Sequence, residues 1–296
     1  MVIVEPGGAA FLDADDAANP LSGLPALLVS HTPCPLADVV VPAADLDALH
    51  EAFERAPLAA MALVLLLRGG SARTTEQGLV AESLTYSMLQ GGPEFAAWQH
   101  SYRPSERLAE IGAAVQMTEG DQQLTLTLSR PHVHNAFSKR MRDELTEALT
   151  TVSADAQHRP VSLRGAGPSF CSGGDLNEFG SFASNAEAHL VRLTRSPARL
   201  MAALAPRVSV HLHGACMGAG IELPAYAHHV SASPDAIMSL PEIGLGLVPG
   251  AGGTVSIPRR IGRQRTAWLG LTGARIDATT ALEWGLVDEL REGAQP

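Results

Sequence analysis

LPEIGLGLVPGAGGT, Leu240 to Thr254, contains a single ionisable side chain, Glu242, in an otherwise apolar, glycine-rich stretch. Glutamate is rarely buried without a partner, and apolar surroundings disfavour its charged form, lifting its pKa toward the range useful for proton transfer. Two readings stand beside each other: a surface loop whose carboxylate meets water, or a buried acid with chemistry to perform. The stretch by itself does not choose between them.

Upstream of it, short apolar strands alternate with helices, the pattern of an α/β domain. Val161 to Arg164 reads as a strand ending at Gly165, Ala186 to Leu204 as helix interrupted at Pro197, and Val208 to Leu212 as a second strand running into Gly214. Each strand leads into a small-residue loop, FCSGGDL at Phe170 to Leu176 and GACMGAGIE at Gly214 to Glu222. Neither is a dinucleotide fingerprint or a phosphate loop, because the glycine spacings are wrong and no Gly-Lys-Ser/Thr follows. What they offer is bare backbone: small residues let a ligand approach main-chain N–H groups, and a following helix favours developing negative charge. Two such loops can make a two-donor oxyanion hole; tight turns alone would also explain the glycines.

Further upstream, Gln123 to Ser129 alternates Leu124, Leu126 and Leu128 with threonines, the two-residue period of a half-buried strand. Ser138 to Val152 reads as a helix with Met141, Leu145, Ala148, Leu149 and Val152 on its inner face. The chain changes character near Gly112 to Gly120. Before that point, Ala43 to Phe53 and Thr74 to Gln90 have helical spacing, and the run APLAAMALVLLL at Ala56 to Leu67 reads as a buried helix end or core strand, too short to span a bilayer.

The 296 residues hold one large domain or two smaller ones, and 46% hydrophobic with 18% charged residues describes a soluble globular chain. A net charge of -10 and 4% aromatic content make nucleic acid and anionic membranes poor partners, although a local arginine cluster could hold a phosphate. Cys34, Cys171 and Cys216 are odd in number and widely spaced, which points to a reducing cytoplasm without a disulfide framework. The first residues, MVIVEPGGAAFLDADD, are acidic where a secretory signal would be basic. Six histidines stand in or near pairs (His132, His134, His211, His213, His228 and His229) without a carboxylate or cysteine frame, so no metal site is expected.

From Gln123 to Leu290 the order of motifs resembles the crotonase (enoyl-CoA hydratase/isomerase) superfamily. The carriers are RPHVHNAF at Arg130 to Phe137, FCSGGDL, GACMGAGIEL at Gly214 to Leu223, LPEIGLGLVPGAGGT, and LTGARIDATTALEWGLVD at Leu271 to Asp288. The resemblance implies an α/β fold, a spiral of ββα turns, that presents backbone N–H groups to the thioester oxygen of an acyl-CoA. By position the donors would be the N–H groups of Gly174 and Ala219. Ala219 stands where the family usually has glycine; its N–H survives, while its methyl narrows the approach. Ser172, Gly173, Asp175, Leu176, Gly218 and Gly250 are the expected substrate contacts, although Asp175 could equally cap the helix that follows. Arg130 and Arg164 are candidate contacts for CoA phosphates.

Hydratases of this family place one glutamate just after the second oxyanion loop and another in the segment corresponding to LPEIGLGLVPG. Glu222 and Glu242 fall at those positions, so the resemblance implies hydration of 2-enoyl-CoA. Two carboxylates suit that reaction, because water loses a proton as it attacks Cβ while Cα gains one. Isomerase or thioester hydrolase chemistry, or a non-catalytic acyl-CoA or protein-binding module, are the other implied readings. No cofactor is expected beyond the CoA carried by the substrate, and a trimer or hexamer is the family's usual assembly.

Departures from the family pattern are also visible. Ala227, His228, His229 and Val230 replace the usual small residue and aspartate, and the chain ends at Pro296, where family members usually continue with further helices. A division into an N-terminal extension, 1–114, and a core, 115–296, follows. The extension is expected to be mostly helical, with one or two strands and a structural or oligomer-forming role, since neither a glycine-rich loop nor a paired acid stands out in it. A weak echo, ADLDALHEAF leading to ALVLLLRGG against RDELTEALTTV leading to VSLRGAG, raises the possibility of a degenerate extra turn of the spiral, helix then strand, against a convergent helix–strand pair.

Overall fold

The computed structural model describes residues 1–3, 23–105 and 112–292; most of the acidic N-terminal stretch lies outside them. The chain opens with a small parallel sheet of β1 (Val2–Ile3), β2 (Leu28–Ser30) and β3 (Val39–Val40). Four helices follow: α1 (Leu46–Arg55), α2 (Pro57–Arg68), α3 (Thr75–Gln90) and α4 (Pro93–Ser101). The local chemistry explains their limits. Pro57 and Pro93 sit in the first turns, where a missing N–H costs nothing, and Thr74 and Gln77 form a reciprocal capping box at the start of α3. Glu94 of α4 accepts hydrogen bonds from the N–H groups of Leu58 and Ala59, capping α2 from outside.

The apolar run is therefore helix, not strand. Ala59, Ala60, Leu63, Val64 and Leu67 are buried on α2, and Arg68 at its end donates to Asp38 at 2.6 Å and to the carbonyls of Leu24 and Ala26, which ties the small sheet to the helix. This corrects the suggested echo. Ala62 to Arg68 is helical where Val161 to Gly165 is a strand, so this segment is not an extra ββα turn. Periodicity was misleading here because a run of apolar residues serves a two-sided helix as well as a buried strand.

The remaining elements are β4 (Val115–Glu119), β5 (Leu124–Leu128), α5 (Lys139–Ser153), β6 (Val161–Gly165), α6 (Asn185–Thr194), α7 (Pro197–Leu204), β7 (Val208–Leu212), β8 (Ala215–Met217), α8 (Ala219–Glu222), β9 (His229–Ala232), β10 (Ile237–Ser239), α9 (Gly253–Thr272), β11 (Ile276–Asp277), α10 (Ala278–Trp284) and β12 (Glu289–Leu290). Six strands form one sheet in the order β12-β9-β7-β6-β5-β4, parallel except for β4 against β5. A second sheet runs β11-β10-β8. The leucines of β5 are buried while its threonines are only half so, matching the alternation in the sequence, and Met141, Leu145, Leu149 and Val152 of α5 pack beneath them.

Successive turns of the chain give one strand to each sheet. Strand β7 joins the large sheet and β8 the small one; β9 and β10 repeat the pattern; and after β6 the chain meets the small sheet through a parallel bridge of Cys171 to Cys216. Cys216 is in turn in register with Met238 of β10. Parallel strands in register deliver equivalent positions to the same end, so Gly174, Ala219 and the Pro241–Glu242 step, each the same few residues onward, emerge side by side.

The N-terminal helices share a core with this end of the molecule. Leu63, Tyr86, Leu89 and Phe95 cluster with Ile243, Leu247 and Val248 of the LPEIGLGLVPG stretch and with Ala267 and Leu271 of α9. At Gly270 the approach is so close that a Cβ would lie 2.7 Å from Cδ2 of Leu63. We expect Leu63→Ala to lower unfolding free energy by about 2–5 kcal/mol in urea titrations. A loss under about 1 kcal/mol would show that the N-terminal helices are not part of the cooperative core.

Candidate active site

Gly174, Ala219, Glu222, Glu242 and Gly250 line one cavity of about 180 Å³. Of the expected substrate contacts, Gly174's neighbour Asp175 also lines it. Ser172, Gly173, Leu176 and Gly218 are not on its wall: Ser172 is exposed, and Gly173 packs against the Met217 backbone. Gly218 stands behind the wall, with φ 49° and ψ -117°, where a Cβ would come within 2.3 Å of Glu242 Oε1. Only glycine tolerates both that backbone and that carboxylate.

The N–H groups of Gly174 and Ala219 have no acceptor among the described residues. At Gly174 the neighbouring bonds run from Phe137 N–H to the Gly173 carbonyl and from Asp175 N–H to the Phe137 carbonyl, which hold the loop while leaving the intervening N–H unused. Ala219 opens α8, where a helix has unsatisfied donors. Asn135 supports this framework from below: its side chain accepts from Arg130 N–H and donates to the carbonyls of Ala166, Ser169 and Phe170.

Glu222 Oε2 accepts hydrogen bonds from the N–H groups of Ala251 at 2.7 Å and Gly253 at 2.8 Å. Glu242 Oε2 is buried and has no hydrogen-bond partner among the described residues. Burial raises both acids above the ordinary carboxylate range, Glu242 to about 8 and Glu222 well above its usual value, the latter also opposed by the charges of Glu242 and Glu82. Glu242 is therefore not the water-facing surface acid that its sequence also allowed; it is 9% exposed.

A third carboxylate was missed by the sequence reading. Glu82 of α3, 2% exposed, lines the same cavity and accepts from Gly252 N–H at 2.7 Å, Thr254 N–H at 2.9 Å and the Thr254 hydroxyl at 2.6 Å. The N-terminal segment thus contributes an acid to the site. The signal was present: Leu79, Glu82, Ser83 and Tyr86 fall at helical spacing, so Glu82 lies on the apolar stripe of α3.

Other expectations separate. Arg130 is buried and ion-paired with Asp175 at 3.3 Å, so it is a structural cation, not a surface contact for phosphate. Asp175 also caps the short helix after it, accepting from Asn177 N–H. Arg164 is exposed on β6 and does not line the cavity. The histidines are spread among local partners, His134 with Ser169, His211 with Ser231 and Ser233, His213 with the Gly167 carbonyl and His229 with Glu289. Among the described residues no group of three His, Cys, Asp or Glu side chains is arranged to hold a metal ion, and no helix is long and apolar enough to cross a membrane. The three cysteines are buried and unbridged.

The profile of the family described as enoyl-CoA hydratase/isomerase matches residues 120–295. The Bacillus subtilis protein YngF is 34% identical over 182 residues, covering 61% of this chain and 70% of its own length. The 1,2-epoxyphenylacetyl-CoA isomerase of Escherichia coli is 35% identical over 168 residues, and the chain spans 64% of that protein's length. The crystal structure of enoyl-CoA hydratase from Thermoplasma volcanium superposes with a TM-score of 0.56 at 30% identity, covering 62% of this chain and 73% of the other. The motifs, the ββα turns and these relatives lead to one assignment: the chain belongs to the enoyl-CoA hydratase/isomerase family, the crotonase superfamily.

Proposed function

We propose that this protein hydrates 2-enoyl-CoA thioesters to 3-hydroxyacyl-CoA. The observation that carries the reading is the placement of Glu222 and Glu242 on one cavity with the free N–H groups of Gly174 and Ala219. Addition of water to an enoyl thioester builds enolate-like charge on the carbonyl oxygen, and two preorganised N–H donors stabilise that charge by several kcal/mol. Water must give up one proton as its oxygen bonds to Cβ, and Cα must gain one.

Glu222 is the base in this scheme. Two N–H groups at the start of α9 favour its carboxylate form, and its other oxygen makes no hydrogen bond among the described residues. Glu242 is the acid: its unpartnered Oε2 favours the protonated form and delivers the proton to Cα. The proton that Glu222 takes replaces the one that Glu242 gives. No separate cofactor enters the scheme, because CoA arrives with the substrate.

The pair is active with one proton between its two carboxylates, so the rate has two limbs. It falls at low pH as the second proton binds and falls again at high pH as the pair loses its last proton, both steps lying above the ordinary glutamate range because burial raises both carboxyls. A kcat profile lacking the alkaline fall would remove Glu242 as acid.

Loss of the enoyl-thioester absorbance of crotonyl-CoA measures the reaction. Glu222→Gln and Glu242→Gln keep side-chain size and should each lower kcat by about 10²–10⁴-fold; both variants turning over like the parent would sink the mechanism. Double-bond migration in a 3-enoyl-CoA without hydration would assign isomerisation to the same site. Gly218→Ala should lose both stability and turnover, since its methyl meets Glu242; unchanged thermal unfolding and rate would contradict the described wall.

A further inference from the structure

Around the start of α9 four successive N–H groups are divided between two carboxylates. Those of residues 251 and 253 go to Glu222, and those of 252 and 254 go to Glu82. The two acids interleave on one short loop, yet Glu82 comes from α3, outside the 120–295 match. The loop is further held by the Tyr226 hydroxyl, which donates to the Gly252 carbonyl at 3.0 Å, and by the Tyr86 ring against Gly250.

The three acids differ in how their oxygens are satisfied. Glu82 accepts three hydrogen bonds, one of them from a hydroxyl; Glu222 accepts two; Oε2 of Glu242 accepts none. Hydrogen bonds to the charged form favour it, so Glu82 is the acid best placed to ionise first. Arg192 of α6 adds to this. Its guanidinium lies 4.7 Å from the Tyr86 ring centre and donates to Ser83 and Ser87 on the next turns of α3, and its charge acts on Glu82. The groups around Glu82 are thus Tyr86 on its own helix, Arg192 on α6, Glu222 on α8, Tyr226 after it and Glu242 after β10.

We propose that Glu82 is a positioning residue for this reaction: its bonds fix the 250–254 loop beneath Glu222, and its negative charge keeps the shared proton on the Glu222–Glu242 pair. The inference rests on the acid/base reading of that pair. A fixed negative charge beside two carboxylates opposes their joint ionisation, so the pair stays singly protonated to higher pH than it would alone. The directions agree: Glu82's charge contributes to the upward shifts of both Glu222 and Glu242, and burial raises Glu82 itself only to about 7, against about 8 for Glu242.

The test follows the carboxyls directly, in protein labelled with ¹³C at the glutamate side-chain carboxyls, with Glu222→Gln and Glu242→Gln used for assignment. In Glu82→Gln the charge is gone, and the alkaline midpoint of the Glu222–Glu242 pair should fall by about one pH unit, with the alkaline limb of the crotonyl-CoA kcat profile moving acid by the same amount, because Glu82, raised to about 7, carries its full charge only there. Thr254→Val removes one donor from Glu82 in a side chain of the same shape, and should move that midpoint in the same direction by less. If Glu82→Gln does not fold, Thr254→Val decides. An unmoved midpoint in a folded variant, with only a lower melting temperature, would overturn the proposal and leave Glu82 a structural anchor. Absence of hydration by the parent protein would instead reject the proposed reaction, while the carboxyl titrations would still report on Glu82.

Discussion

The start of a helix has N–H groups that no residue within the helix can satisfy, and in this protein those of the 251–254 loop are met by carboxylates. That single arrangement connects three parts of the chain. Glu222 is drawn in from the second strand-end loop, Glu82 from the N-terminal helices, and α9 itself runs back across the core toward Leu63. Buried acids need such partners, because an unpaired charge in a closed cavity is costly. The same arrangement that satisfies the helix therefore permits a cluster of acids beside the cavity.

Register does the rest of the positioning. Bridges of Cys171 to Cys216 and of Cys216 to Met238 align three successive passes of the chain in the small sheet. The N–H groups of Gly174 and Ala219 follow three residues after these positions and Glu242 four, so no long-range adjustment is needed to bring them together. Small residues are required there for space as well as conformation: Gly220 packs on the Cys171 carbonyl, and Gly218 leaves room for the Glu242 carboxylate.

Much of this was legible in the sequence for specific physical reasons. The alternation of β5, the inner face of α5, the break at Pro197 and the strands before the two glycine loops all report a local period or a local breaker, and all are present. Glu242 stood out because it is a lone acid among apolar and small residues, and Glu222 because the family resemblance places a hydratase glutamate at that position. Glu82 did not, since α3 carries Glu76 on its exposed turn and Thr and Ser throughout, so an acid on its inner stripe looks ordinary until the partner N–H groups are known. The Ala56–Leu67 run was ambiguous between helix and strand for want of any polar residue to set a period, and Arg130 was read as a surface cation because nothing local announces a partner forty-five residues away.

Exchange of the hydrogen on Cα in deuterated water, with butyryl-CoA as a saturated thioester that cannot be hydrated, isolates the role given to Glu242 over the Gly174 and Ala219 donors. The parent protein should introduce deuterium at Cα, Glu222→Gln should retain a substantial part of that exchange, and Glu242→Gln should lose it. Exchange by Glu242→Gln at the parent rate would contradict the assignment of the Cα proton to this carboxylate.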